Sequence, residues 1–392
     1  MTLEARNVLL LACCQVLLFT NNVTLISVNG LAGHALADNK ALATLPVTGY
    51  VVGAAIFTYP ASLWMRRVGR RAGFLVGSVL GILGAAIASL GVALGSFATL
   101  IAGTLVLGAY NAFGQYYRFA AADAAPGSNK ARAISLVMAG GLVGGLIGPE
   151  MSKHTRELMQ PTFVASYASL MAFCLIAMAI QSMLRIPDPK PEEAGGPVRP
   201  LREIVAQPAF VVAMAVAALG YGVMNLLMTS TPLAMGFCGH PYAAAASVIA
   251  AHVVAMFGPS FFTGSLIQRF GVLRVILTGV VAMFGAVAIA LSGQQVAHFW
   301  LSLTLLGVGW NFMYVGGTTL LTEAYRPSEK AKAQGVNEIL VFCTVAGSSV
   351  ASGVLVNAAG WNTLNVVALP ILCVAGGAAL WLAARRRAAA SA

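Results

Sequence analysis

Charged residues are scarce in this chain, and their scarcity excludes an ordinary soluble domain. Asp, Glu, Lys and Arg make up 9% of the 392 residues, whereas a soluble domain carries roughly a quarter. Hydrophobic residues make up 59%, and the mean hydropathy is +0.83. The sequence therefore predicts an integral membrane protein.

The motifs of common enzymes and zinc domains are also missing. The six cysteines include no Cys-x-x-Cys pair, which excludes a zinc finger or a thioredoxin-like site. The chain has no His-Glu-x-x-His, no Gly-x-Ser-x-Gly and no Walker loop. We therefore expect a protein that is not an enzyme and binds no permanent cofactor.

Twelve apolar runs are long enough to cross a bilayer, which takes roughly 17–25 residues in a helix. Charged residues and Pro or Gly breaks separate the runs. The predicted fold class is thus an all-α integral membrane protein with twelve transmembrane helices. The predicted spans are residues 8–29, 43–65, 72–93, 97–120, 132–152, 162–184, 208–230, 242–267, 273–293, 297–322, 332–357 and 361–384.

Basic residues outnumber acidic ones by 23 to 12, and their placement predicts the orientation. With a cytoplasmic N-terminus, every Lys and Arg except Lys40, Lys153 and Arg156 falls on the cytoplasmic side or at its edge. This is the bias of the positive-inside rule, so we expect both termini in the cytoplasm. Basic loops facing anionic lipid account for the net charge of +11, and no nucleic-acid partner is needed.

Two short motifs recur in the chain. An Arg-x-Gly core within residues 62–71 returns within residues 264–274, displaced by 202 residues from Arg67 to Arg269. The repeat predicts two similar six-helix halves, separated by a stretch rich in Pro, Gly and charge that indicates a cytoplasmic linker. The predicted boundaries are 1–184 for the N-terminal half, 185–207 for the linker and 208–392 for the C-terminal half.

The repeated loops resemble degenerate copies of the G-x-L-x-D-R-x-G-R-R loop of the major facilitator superfamily. The Asp of that loop is replaced by Arg66 in the first copy and by Gln268 in the second. The resemblance covers the whole chain. It implies two pseudo-symmetric six-helix bundles with a substrate site near the bilayer midplane between them.

Four soft metal donors lie in the seventh and eighth predicted spans. Met224 and Met228 are four residues apart, as are His252 and Met256, so each pair shares one face of a helix. Thioethers prefer Cu(I) and imidazole binds copper well, which favours a copper site. Packing also explains Met pairs in a chain with 15 Met, but an imidazole deep in a span indicates function.

The joint pattern resembles the CcoA-like copper importers, a group within the same superfamily. In both, Met-x-x-x-Met is followed by His-x-x-x-Met, here 28 residues from Met224 to His252. The resemblance implies a bacterial inner-membrane importer that moves copper from periplasm to cytoplasm by alternating access. That copper would supply assembly of cbb3-type cytochrome c oxidase, with copper chaperones as partners. We expect a monomer in the bilayer.

Other residues are candidates for accessory roles. Cys238 and His240, at the predicted outer mouth, are candidates for capturing metal. Glu338 in the eleventh span, with Arg67 and Arg269 in the repeated loops, is a candidate for coupling or gating. Further residues predict the lining of a cavity for an organic solute: Tyr50, Asn111, Gln115, Tyr116, Trp310 and Asn311.

Two alternatives to copper import follow from these residues. The first is a facilitator-type transporter of a small organic solute, such as a drug or a vitamin, which would use the aromatic and amide lining. The second is a copper-linked assembly factor that transports nothing.

Overall fold

A computed structural model describes residues 2–39, 42, 45–125, 129–186 and 199–391 of the chain. The described residues are mainly helical and contain no β-strand, so the predicted all-α fold class is confirmed. Most of the predicted linker, residues 187–198, lies outside the described part, as does Lys40.

The helices of the described chain run in the following order. They are α1 (Leu3–Leu36), α2 (Leu45–Ala93), α3 (Phe97–Gly114), α4 (Tyr117–Ala124), α5 (Lys130–Thr155), α6 (Val164–Ser182), α7 (Leu201–Val205), α8 (Pro208–Phe237), α9 (Tyr242–Phe257), α10 (Ser260–Phe270), α11 (Val272–Ser292), α12 (Val296–Leu321) and α13 (Lys330–Ser391). A 3-10 turn at Pro327–Glu329 precedes α13.

The helices account for the twelve predicted spans. Ten helical segments in the described chain are long and apolar enough to cross a membrane, two of them within α13, and α9 with α10 makes an eleventh, bent by 40°. The twelfth is in α2, because this 49-residue helix changes direction at Gly69 and each side is long enough to span. The bend between α9 and α10 follows from Pro259, which has no backbone N–H to donate.

The chain divides into two compact units. Unit 1 consists of residues 1–126, 136–191 and 334–339, and unit 2 of residues 127–135, 192–333 and 340–392. Residues 334–339 of α13 therefore belong to unit 1, whereas residues 130–135 at the start of α5 belong to unit 2.

Small residues let the helices of unit 1 approach closely. A Cβ atom on Gly53 of α2 would lie 2.0 Å from the carbonyl oxygen of Leu105 on α3. A Cβ on Gly103 of α3 would lie 2.3 Å from the backbone nitrogen of Ala88. Membrane helices are held largely by such packing, because lipid offers no hydrophobic drive for their association.

The repeated Arg-x-Gly motifs share one backbone conformation. Gly69 has φ 82° and ψ 162°, and Gly271 has φ 88° and ψ 149°. This region of φ/ψ space is open essentially to glycine alone. The two glycines therefore explain why the motif keeps Gly at both positions although the neighbouring Asp of the resembling loop is absent.

Replacing Gly271 with Ala should destabilise the protein by about 1–3 kcal/mol, because a side chain disfavours this backbone conformation. An added Cβ at this position meets nothing within 4 Å, so backbone strain would be the sole cause. The measurement is the thermal unfolding midpoint of purified protein in detergent. Gly377→Ala in α13, where an added Cβ also meets nothing within 4 Å, is the control and should not lower the midpoint. Equal midpoints for both variants would contradict the strain argument.

Candidate functional site

His252 lies on α9 of unit 2, fully buried, with its ring against α12. Its Nδ1 is 2.6 Å from the carbonyl oxygen of Leu303. Because a carbonyl only accepts hydrogen bonds, Nδ1 carries the hydrogen and donates it, and Nε2 of the neutral ring is an acceptor. Nε2 is buried and has no hydrogen-bond partner among the described residues. The imidazole thus presents one unused acceptor inside unit 2.

Gly307 of α12 permits this close approach of the two helices. A Cβ on Gly307 would lie 2.8 Å from the carbonyl oxygen of His252 and 2.9 Å from the backbone nitrogen of Met256. We call this contact line between α9 and α12 the α9–α12 seam. It fixes the depth of His252 relative to the residues of α12.

Asn311 continues the seam by joining α12 to the bend between α9 and α10. Its amide nitrogen donates to the carbonyl oxygen of Met256 at 2.6 Å and to the hydroxyl of Ser260 at 2.5 Å. Its amide oxygen accepts from Thr263 at 2.7 Å. Asn311 is fully buried. The sequence predicted that Asn311 lines a cavity. In the structure, the nitrogen and the oxygen of its side-chain amide both form hydrogen bonds with residues of neighbouring helices.

The other residues predicted to bind or capture metal lie on α8, on α9 or in the turn between them. Met224 and Met256 are buried, and Met228 is half-buried. Cys238 follows the C-terminus of α8, and its thiol donates to the side-chain oxygen of Gln294 at 3.4 Å. The ring of His240 donates through Nε2 to the carbonyl oxygen of Gln294 at 2.7 Å.

Four aromatic side chains from α8, α9 and α12 form a cluster. The aromatic cluster consists of Tyr221, Phe257, Trp310 and Tyr314. Trp310 and Tyr314 are stacked, with ring centroids 5.0 Å apart and planes 17° apart. Tyr221 contacts each of them at 5.3 Å, and Phe257 meets Trp310 edge-on at 5.6 Å. The indole nitrogen of Trp310 is buried without a hydrogen-bond partner in the described chain.

Unit 1 contains a continuous polar chain, defined here as Tyr50, Asn22, Asn111, Gln115 and Arg118. The Tyr50 hydroxyl donates to the amide oxygen of Asn22. The oxygen of Asn111 accepts from Asn22 at 3.1 Å and from Gln115 at 3.0 Å. Arg118 donates to the side-chain oxygen of Gln115 at 3.2 Å. Three residues predicted to line a cavity therefore belong to one hydrogen-bonded network.

The polar chain ends at a buried ion pair. Arg118 and Glu338 form a salt bridge in which the side chains are 3% and 1% exposed. The same carboxylate oxygen, Oε1, accepts from the Asn337 amide at 2.8 Å. The other oxygen, Oε2, is buried and has no hydrogen-bond partner in the described chain. Glu338, a predicted coupling residue, is thus paired with a helical arginine.

Arg70 forms the second ion pair of this region. Its Nε lies 3.0 Å from Asp123, and its terminal nitrogen donates to Gln334 at 2.6 Å. The guanidinium lies 5.7 Å from the ring centroid of Tyr116. Arg67 and Arg269, which were predicted to act in coupling or gating, are both exposed. In each repeated loop, therefore, the arginine of the Arg-x-Gly core is exposed.

Arg118 is the functional candidate that inspection of the sequence missed. It lies near the end of the predicted span 97–120, in an apolar stretch. An arginine inside a membrane span is costly and usually paired. The position of Arg118 within a predicted span was therefore enough to mark it as a functional candidate.

The fold is that of a multi-pass membrane transporter. The structure of FucP in the outward conformation matches 97% of this chain and 99% of its own, with a TM-score of 0.80 at 15% identity. The human organic anion transporter MFSD10 gives a TM-score of 0.78 over 97% of this chain and 100% of its own, at 12% identity. The Major Facilitator Superfamily profile matches residues 11–260 and 239–392. The chain belongs to the major facilitator superfamily.

The prediction of copper import is wrong. The riboflavin transporter RfnT of Brucella anthropi is 41% identical to this chain over 378 residues, which cover 95% of the chain and 94% of RfnT. This similarity favours the organic-solute alternative over copper. The expected role in cytochrome oxidase assembly depended on copper import, as did the expected copper chaperones, so neither is supported. The spacing of Met224, Met228, His252 and Met256 is therefore not sufficient evidence that the chain transports copper.

Replacing Asn311 with Ala should lower stability by about 1–3 kcal/mol, because the Met256 carbonyl and the Ser260 and Thr263 hydroxyls lose buried partners. The measurement is the midpoint of thermal unfolding in detergent. Asn362→Ala on the exposed face of α13 is the matched control and should change the midpoint little. If Asn311→Ala unfolds like the wild type, these hydrogen bonds do not hold the bend.

Proposed function

We propose that this chain transports riboflavin, or a vitamin with a similar flat heteroaromatic ring, across a bacterial inner membrane. The proposal is supported by the 41% identity to a riboflavin transporter over 95% of the chain. Transport would proceed by alternating access, as the inverted-repeat architecture of the family suggests. The basic residues of the predicted cytoplasmic loops support an orientation with both termini inside the cell.

The aromatic cluster is the observation that carries the choice of solute. Flat conjugated rings bind best against other aromatic rings in offset or edge-on arrangements. Trp310 and Tyr314 already hold parallel planes, and Tyr221 is half-buried at the accessible edge of the cluster. We infer that a flavin ring binds against Tyr221 and Trp310.

Two buried polar atoms support the proposal that the solute is a ring with both hydrogen-bond acceptors and a donor. The Trp310 indole nitrogen is a donor without a partner in the described chain, and His252 Nε2 is an acceptor without one. The isoalloxazine ring of riboflavin carries carbonyl oxygens on either side of an N–H group, which match a donor and an acceptor of this kind. Unpaired buried polar atoms are costly, so a solute that pairs them would be selected over one that does not.

Removing the Trp310 ring should reduce riboflavin uptake about tenfold or more, because stacking of a heterocycle on one aromatic side chain contributes about 1–3 kcal/mol. The measurement is initial uptake of radiolabelled riboflavin by cells that express Trp310→Ala, with the amount of membrane-inserted protein determined in parallel. Copper accumulation by the same cells should not change.

Two matched variants separate stacking from general damage. Trp300→Ala removes a 42% exposed tryptophan from the same helix and should leave uptake near the wild-type rate. Trp310→Phe keeps a ring and should retain more uptake than Trp310→Ala. Equal uptake by Trp310→Ala and Trp300→Ala would rule out the cluster as the riboflavin site.

A further inference from the structure

Two adjoining cavities lie in unit 2 around the turn between α10 and α11. Their volumes are about 530 Å³ and about 220 Å³. Gly271, Val272 and Arg386 line both of them. The larger volume falls within the range of small-molecule sites, roughly 300–1,000 Å³. Neither Tyr221 nor Trp310 lines either cavity, so a ligand bound here would be separate from the transported solute.

Basic side chains outnumber acidic ones around these cavities. The smaller cavity is lined by Arg274, Arg386 and Arg387, and none of the described residues that line it is acidic. The larger cavity is lined by Lys130 and Arg386, with Glu323 as the one carboxylate among its described lining residues. Glu323 lies 2.7 Å from the Arg386 guanidinium, so a single cation offsets it. The excess positive charge is therefore concentrated at the smaller cavity, which suits a phosphate group.

Exposed aromatic side chains stand beside these arginines. Phe270 lines the smaller cavity and is 45% exposed, and the Arg269 guanidinium lies 5.2 Å from its ring centroid. Trp381 of α13 is 49% exposed, and the Arg385 guanidinium lies 5.6 Å from its ring centroid. Aromatic rings and long basic side chains combine in this way at the boundary between lipid headgroups and hydrocarbon. The cavities therefore lie beside surfaces suited to that boundary.

The helix faces that carry the arginines continue into apolar surface. On α11, Val281 follows Arg274 by seven residues and is 69% exposed. On α13, Leu380 precedes Arg387 by seven residues and is 59% exposed. Residues seven apart share one face of a helix, so each face passes from a cation at the cavity to an exposed apolar side chain. A phosphate ester in solution would contact the arginines alone, whereas a phospholipid would also cover the apolar faces with its acyl chains.

From these charges and apolar faces we propose that unit 2 binds one anionic phospholipid at the two cavities. The phosphate lies among Arg274, Arg386 and Arg387, since guanidinium groups bind phosphate oxygens through paired N–H donors. The headgroup alcohol occupies the larger cavity, where the hydroxyl oxygens of Thr319 and Thr322 can accept its hydrogen bonds. The loops at this end are those predicted to face the cytoplasm, the side on which anionic lipids attract basic segments. The inference does not depend on the identity of the transported solute.

The test measures binding of dioctanoyl phosphatidylglycerol to the purified full chain, freed of native lipid in a neutral detergent. Native mass spectrometry counts the bound lipids, and a titration gives the dissociation constant. The salt is set at roughly 0.15 M, which limits the screening length to about 8 Å and suppresses attraction by distant charges. The wild type should bind one molecule at low lipid concentration. Absence of a one-to-one complex would overturn the proposal.

Two further ligands identify which part of the lipid is recognised. Dioctanoyl phosphatidylcholine has the same chains but no net charge, and it should bind about tenfold more weakly or worse, because the arginines attract net negative charge. Glycerol 3-phosphate has the phosphate without the chains and should not displace phosphatidylglycerol. Equal binding of the two lipids would overturn the phosphate site. Tight binding of glycerol 3-phosphate would identify a soluble phosphate ester as the ligand and overturn the lipid.

Three arginine variants separate a built site from diffuse attraction. Arg274→Gln and Arg387→Gln should each weaken phosphatidylglycerol binding about fivefold, since each removes one cation from beside the headgroup. Arg385→Gln removes the same charge from the same helix, but Arg385 packs on Trp381 and is not among the described lining residues. It should change the dissociation constant by less than about twofold. Equal weakening by all three variants would mean diffuse attraction and overturn the site.

A fourth variant should increase the affinity, which damage to the fold does not do. Glu323→Gln removes the carboxylate that competes with the phosphate for Arg386. It should bind phosphatidylglycerol about fivefold more tightly than the wild type, because one negative charge near the headgroup is lost. Unchanged or weaker binding by this variant would overturn the placement of the phosphate at Arg386.

Discussion

The pairing of buried charges in unit 1 is the constraint on which much of this structure depends. Two arginines and two carboxylates pair inside unit 1, three of them buried and Asp123 15% exposed, and a buried charge is costly without an opposite charge beside it. Arg118 is 3% exposed and Glu338 is 1% exposed. Residues 334–339 of α13 belong to unit 1, where Gln334 contacts Arg70 and Glu338 contacts Arg118. A change of one charge would therefore disturb the contacts of a whole helix segment.

Unit 2 depends on close backbone packing instead. Gly307 brings α12 against the backbone of His252 and Met256, and Asn311 bonds the carbonyl that the bend at Pro259 leaves available. This packing buries the imidazole and the indole of Trp310, and one polar atom on each has no partner among the described residues. A buried polar atom without a partner needs an explanation, and for these two atoms the proposed function supplies one, because a bound solute would complete their hydrogen bonding.

The sequence allowed the fold to be predicted but only part of the candidate site. Composition and apolar runs predict twelve spans, because a chain that crosses lipid must satisfy its backbone hydrogen bonds within helices. Gly69 and Gly271 mark the repeat, because both have a backbone conformation that only glycine readily adopts. Arg118 was overlooked, although an arginine in a span is a strong signal. The polar chain joins α1 to α4 through side chains far apart in sequence, so no local pattern could predict it.

The copper interpretation failed because the spacing of Met and His residues does not show whether their side chains bind a metal ion or form other contacts. An imidazole whose Nδ1 is bonded to a carbonyl offers the same Nε2 lone pair to a metal ion and to an N–H donor. Thioethers four residues apart also occur in ordinary core packing, where they bind no metal. What separates the two is the neighbouring chemistry: an indole N–H only donates, and its hydrogen repels a cation. The donor on Trp310 of α12 and the acceptor on His252 of α9, neither paired within the described residues, therefore favour a neutral ring bearing both kinds of group over a soft cation.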